Sequence, residues 1–205
     1  MQFRNVLAAG LIATMFTGVA QAADGVISSS YTKLDIQAGC VQISSYEAGA
    51  SYSCDGLSGY GILFSEGDLR QSVFFGHVGP WYADGGWQSF GPFNYVNDTV
   101  EWRLSDGVPY ATILRWFIET DNPATGSPDD AHRGEVLVVS KVGQPGVADA
   151  CAVGYVDARV NPDANALARE IADTMAETFA CGFDTAVYHG ARGPLAGDPV
   201  SALGN

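Results

Sequence analysis

The chain has 205 residues, 23 acidic and 10 basic, for a formal net charge of −13, and 47% of them are hydrophobic. Nucleic acid and anionic membrane bind through lysine and arginine, so this balance argues against both; it would steer a basic protein or a cation toward the chain, and its plainer reading is that it serves solubility. The apolar content is too high for a disordered chain, and the length suits one domain burying about 70% of its unfolded surface.

Residues 1–22 read as a signal peptide. Arg4 supplies the positive start, residues 6–19 form an uncharged apolar run, and Ala20-Gln21-Ala22 offers the small-x-small cleavage site. The run is shorter than the roughly 20 residues a spanning helix needs. No cysteine follows it where a lipid anchor would attach. These features predict a soluble periplasmic or secreted protein of a Gram-negative-type envelope, without stable membrane insertion after cleavage. The expected division is a signal peptide over 1–22, one domain over 23–189 and a flexible tail over 190–205.

Strand signals follow in chain order. Residues 41–46 and 51–54 flank Glu47-Ala48-Gly49-Ala50, a hairpin loop. Residues 61–65 and 71–77 are short apolar runs joined by the turn Glu66-Gly67-Asp68. In residues 99–104, Val100, Trp102 and Leu104 alternate inward against Glu101 and Arg103 outward, which predicts a strand. Asp106-Gly107 reverses the chain into residues 110–120, and a polar loop over 121–133 leads to a strand over 135–142.

The C-terminal unit is a strand over 151–160 and a helix over 162–180. Asn161 suits the cap, Pro162 the first turn, and Gly182 the residue past the end. Leu167, Ile171, Met175 and Phe179, with Ala164, Ala168 and Ala172, make an apolar stripe that leaves Glu170, Asp173 and Glu177 wet. Nine strand steps rise about 30 Å and nineteen helical residues return about 28 Å, which brings Cys181 level with Cys151. Strict alternation nevertheless puts Cys151 on the face of Val153 and Tyr155, whereas Ala152, Val156 and Ala158 are better shaped to receive a helix.

Four cysteines in an exported chain argue for two disulfides. With Cys151–Cys181 assigned, Cys40–Cys54 follows by elimination and from its place at the open end of the first hairpin. The expected fold is α+β: an antiparallel meander of about eight strands, curved or barrel-like, with one long C-terminal helix packed on it. Residues 190–205, with four glycines, two prolines and no periodicity, predict the loose tail.

Tyr31-Thr32-Lys33-Leu34-Asp35, Ser65-Glu66-Gly67-Asp68-Leu69-Arg70 and the stretch from Asn161 to Arg169 resemble a group of small secreted proteobacterial proteins with no assigned activity. The likeness spans most of the mature chain. It implies an exported address and a single fold, and it carries over no catalytic residues.

Candidate chemistry is sparse. Gly56-Leu57-Ser58-Gly59 lacks the spacing of a nucleophile elbow, and His77, His132 and His189 lie in separate segments. Glu66 and Asp68 could form a carboxylate pair, but Gly67 favours a turn with Arg70 as ion partner. Asp121, Asp129, Asp130 and His132 share a loop whose spacing fails the calcium pattern, so no metal site is expected. No phosphate-cradling or dinucleotide motif is present, and no cofactor is expected.

The most unusual segment runs from Phe74 to Tyr95, with eight aromatic residues interleaved with glycines. One reading makes it a binding loop for a glycan or a protein partner, through Trp81, Tyr82, Trp87 and Phe90, with His77 and Asp84 as polar handles. The other turns the rings inward over one end of the sheet, as a long ordered loop must bury surface to offset its entropy. The function expected from the whole chain is a non-catalytic binding or interaction module of the envelope. The alternatives are a hydrolase whose site assembles only in the fold and a structural or assembly protein.

Overall fold

The computed structural model describes residues 25–79, 82 and 85–203, so the segment predicted as a signal peptide, residues 1–22, lies outside the described residues. In chain order the strands are β1 (Ile27–Lys33), β2 (Cys40–Tyr46), β3 (Gly49–Leu57), β4 (Tyr60–Gly67), β5 (Arg70–Gly76), β6 (Trp87–Phe90), β7 (Asn94–Ser105) and β8 (Val108–Ile118). A small hairpin, β9 (Asp121–Asn122) with β10 (Ser127–Pro128), leads to β11 (Gly134–Gly143) and β12 (Ala152–Asp157). Helix α1 (Ala164–Met175), β13 (Val187–Tyr188) and β14 (Pro199–Ala202) complete the chain.

Strands β2 to β5 form one antiparallel meander; β1, β7, β8, β11 and β12 form another antiparallel set. The two sets join where Val142 and Gly143 run parallel to Phe75 and Gly76. Across this junction the path β1-β7-β8-β11-β5-β4-β3-β2 curls into a half-barrel. Glycine is required there. A Cβ on Gly143 would sit 2.1 Å from the His77 carbonyl oxygen, and Gly76 has a φ of 83°.

The half-barrel encloses the main core. Val100, Trp102 and Leu104 point into it as their alternation predicts, with Phe64, Phe75 and Leu114 among their cluster. Trp102 meets Phe75 edge-on at 5.7 Å, and its indole N–H donates to Thr32 Oγ1 at 2.8 Å. A second core lies outside the sheet, where α1 covers β8, β11 and β12. Its centre is a ridge of Ala164, Ala168, Ile171 and Ala172, small enough for helix and sheet to pack closely. Leu167 and Met175 flank the ridge, half-buried.

Both disulfides have the expected pairing. Cys40 lies directly opposite Cys54 in the β2–β3 register, and Cys151 bonds Cys181 with their Cα atoms 5.7 Å apart. Each is worth about 3 kcal/mol from constraint of the unfolded chain. The face of Cys151 is decided by a bulge. Val139 pairs with Gly154 but Ser140 with Ala152, so Val153 is the extra residue. Cys151, Val153 and Val156 therefore pack under α1, while Ala152 and Tyr155 enter the half-barrel.

Several expectations are corrected. The helix spans 12 residues rather than 19, and its N-cap is Asp163, without a side-chain capping bond. Asn161 does not cap. Its amide donates to the carbonyls of Asp157 and Ala191, at 2.8 and 2.7 Å, and its Oδ1 accepts from the Ala191 N–H. Gly182, at φ 83°, turns the chain beyond the helix instead of ending it. The C-terminal segment is packed, not loose. Asp157 accepts from the Gly193 N–H at 2.8 Å, Ala196 is buried, and β14 pairs with β6.

Glu101 and Arg103 point outward from the half-barrel as expected, and there the helix buries them: Arg103 meets Asp173 at 2.6 Å and Arg169 meets Glu101 at 2.6 Å. Tyr110 donates to Asp173 and Ser29 to Glu101. Asp173 is exposed, as expected, and from the helix's rim it also ties the helix to the sheet. Burial pushes both carboxyls up, but the hydrogen bonds from Arg103 and Tyr110 to Asp173, and from Arg169 and Ser29 to Glu101, outweigh it. Both are held below their ordinary values.

A folded pKa below the unfolded one stabilises the fold fully above the unfolded value, about pH 4, and this is lost as pH falls through the folded values. Denaturant titrations between about pH 6 and about pH 2 are therefore expected to show wild-type stability falling below about pH 4. The double variant Glu101→Gln, Asp173→Asn is expected to be less stable at the upper end and to lose less on acidification. Equal losses in both proteins would show that the acid sensitivity lies elsewhere.

Candidate functional site

The site is built where three late elements meet the half-barrel. Strand β6 carries Gln88, a buried amide satisfied at both ends. Its Nε2 donates to the Val73 carbonyl of β5 at 2.8 Å, and its Oε1 accepts from the Ala152 N–H of β12 at 2.7 Å. It thus joins β5 to β12, which have no ladder between them. Asn94 fixes the turn into β7, donating to the Pro92 carbonyl at 2.9 Å and accepting from the Gln71 N–H. On the far edge of β6 lies β14, with Val200 opposite Ser89 and Ala202 opposite Trp87.

Facing β14 is the loop that follows α1. The Cys151–Cys181 bond ties it to the start of β12, and Asp184 accepts from the Ala180 N–H at 2.8 Å. Between loop and strand lies a cleft of about 470 Å³, with Ala152 and Tyr155 beneath and Phe179 and Phe183 on the loop side. A smaller cavity shares Gln88, Ala152 and Tyr155 with it and reaches Trp116 in the core.

Tyr155 is the chemically distinctive residue. It is only 5% exposed, its ring meets Phe90 edge-on at 5.8 Å, and Tyr188 packs tilted at 5.4 Å. Among the described residues its hydroxyl has no hydrogen-bond partner. Burial pushes the phenol up to about 12, so near neutral pH it is an uncharged donor. Phe183, in contrast, is 91% exposed. Asp184 is the one charged residue among the described residues lining the cleft.

The residues singled out from sequence are spread out. Phe90 is 1% exposed and belongs to the core, its ring against Trp116 and Tyr155, so it offers no binding surface. Tyr82 packs edge-on against Phe74 at 5.9 Å. His77 is exposed and lies edge-on to Tyr60, at the β5–β11 junction. Trp87 is half-buried and reaches the cleft only through its pairing with Ala202. Trp81 and Asp84 lie outside the described residues. Tyr155, Gln88, Phe183 and β14 were missed, because a lone tyrosine in an apolar strand reads as core and the glycine- and proline-rich C-terminus as tail.

The other candidates resolve into local structure. Asp68 meets Arg70 at 2.6 Å in a turn, while Glu66 accepts from Gln71. Asp129 accepts from His132 and Asn122, just past the β9–β10 hairpin, and hydrogen bonding by His132 lowers its carboxyl to about 2. Among the described residues no group of three histidine, cysteine or acidic side chains is placed to hold a metal ion. Comparison of the chain with protein-family models, curated proteins and solved structures found no match in any of the three.

Gln88→Leu would leave the Val73 carbonyl and the Ala152 N–H buried without partners. It is expected to destabilise by about 2–4 kcal/mol in denaturant titration. A change below about 0.5 kcal/mol would show that the amide does not hold β6 in place.

Proposed function

We propose that this protein is an exported, non-catalytic binding module whose ligand sits in the cleft between β14 and the disulfide-tied loop. The observation that carries this is the meeting of two groups at one place: Tyr155, whose hydroxyl opens to the cleft and makes no hydrogen bond among the described residues, lies beneath, and Phe183, 91% exposed, stands at the side. Large exposed aromatics are enriched where partners dock, and a phenol at the floor of a cleft can donate to a bound group. A ligand that stacks on Phe183 and hydrogen-bonds Tyr155 would use both.

The groups present suit binding better than proton transfer. A phenol with its pKa near 12 stays protonated at working pH, and the lone carboxylate already accepts a backbone bond. Export is supported by the leader sequence, by the two disulfides, which persist in oxidising compartments, and by the resemblance to small secreted proteins. No helix among the described residues is long and apolar enough to cross a membrane. Acidity favours a ligand with basic character.

Tyr155→Phe removes a hydroxyl that bonds nothing in the protein, so stability is expected to change by less than about 0.5 kcal/mol. Screening oligosaccharides, aromatic fragments and linear peptides by NMR is expected to move Tyr155 and Phe183 signals together. Thr185→Trp and Ala202→Trp, both exposed at the rim, are expected to block that binding without loss of fold. Ligands that bind both rim variants as tightly as wild type would place the site elsewhere.

A further inference from the structure

On the reading that the cleft is the binding site, we infer that its occupant is an extended peptide segment of a partner protein, added as a new strand to the free edge of β14. The cleft is lined by five consecutive residues, Pro199, Val200, Ser201, Ala202 and Leu203. Successive side chains of a strand point to opposite faces. Strand β14 itself is Pro199–Ala202, and a cleft that touches all four of its residues reaches the edge of the strand as well as the face beside Gln88.

That edge has unpaired backbone. The Gly91 N–H donates to the Asp198 carbonyl at 2.9 Å, which sets the phase of the antiparallel β6–β14 ladder. Pairing positions alternate, so Val200 and Ala202 bond β6. The Ser201 N–H and carbonyl, the Pro199 carbonyl and the Leu203 N–H turn the other way, and among the described residues β14 pairs with no strand but β6. Pro199, which has no N–H, occupies a position where β6 needs none.

The rest of the cleft suits such a strand. Ala152 and Tyr155 form an apolar floor with one free hydroxyl for every second side chain, and Phe183 offers a ring on the opposite wall. Asp184, the single charge on the lining, and the net charge of −13 select a segment with lysine or arginine among its residues. Main-chain bonds to the edge supply affinity, and alternate side chains supply specificity. A neutral sugar would use Tyr155 and Phe183 but would have no use for a row of strand-spaced donors and acceptors.

The test pans a phage-displayed library of random linear dodecapeptides against the exported full-chain product and measures the enriched peptides by calorimetry. Sequences with alternating apolar residues and at least one lysine or arginine are expected. Ser201→Pro deletes one outward N–H without removing a bond to β6, and it is expected to weaken binding at least tenfold. Phe183→Ser, on an exposed loop, is expected to do the same and guards against misfolding of the proline variant. Peptides that bind both variants as tightly as wild type overturn strand addition. If no peptide is enriched while neutral oligosaccharides or aromatic fragments shift Tyr155 signals, strand addition falls and the binding site stands. If neither class binds, both fall.

Discussion

One extra residue in β12 sets the arrangement of everything that follows it. With Val153 bulged, both Val153 and Gly154 face the helix, and the strand reverses its facing about that point. Cys151 before the bulge and Val156 after it then share the helix side, while Ala152 and Tyr155 share the interior. Without the bulge, strict alternation would put Cys151 and Tyr155 on one face. The disulfide would then leave the helix, or the tyrosine would leave the floor of the cleft. Gly154 has its own constraint, because a Cβ there would lie 3.1 Å from both Ile171 and the His189 ring.

The same short strand holds the C-terminal segment. Its first residue bonds the Gln88 amide and its last carries Asp157, which grips the Gly193 N–H. Side chains make these closures where ladders cannot reach. Gln88 substitutes for strand pairing between β5 and β12, and Asn161 joins the Asp157 carbonyl to residue 191. A sheet closed in this way keeps free strand edges, and β14 has one of them beside a cleft. The core and the proposed binding site thus share β12 as a common support.

Local patterns made the frame legible. The alternation of Val100, Trp102 and Leu104, the alanine-rich stripe of the helix and both cysteine pairings follow from spacing within a few tens of residues. What was hidden depends on partners far along the chain. The outward side of Glu101 and Arg103 was legible, but not its cover, because Arg169 and Asp173, which neutralise them, lie 68 and 70 residues away. Asn161 read as a helix cap because its true partner, Ala191, stands 30 residues downstream. The inward reading of the aromatic segment holds for Phe90, while Trp81 lies outside the described residues. Strand β14 was missed because a strand of four residues in a segment rich in glycine and proline has no periodicity to detect.

The central claim is that the outer edge of β14 is open and waiting beside Tyr155. Residue-resolved amide exchange on the unliganded protein tests this directly, since neighbouring amides of one strand must then behave in opposite ways. Slow exchange at Val200 and Ala202, with fast exchange at Ser201 and Leu203, is the predicted result. Uniform protection across all four would mean that the edge is already covered and would contradict the account.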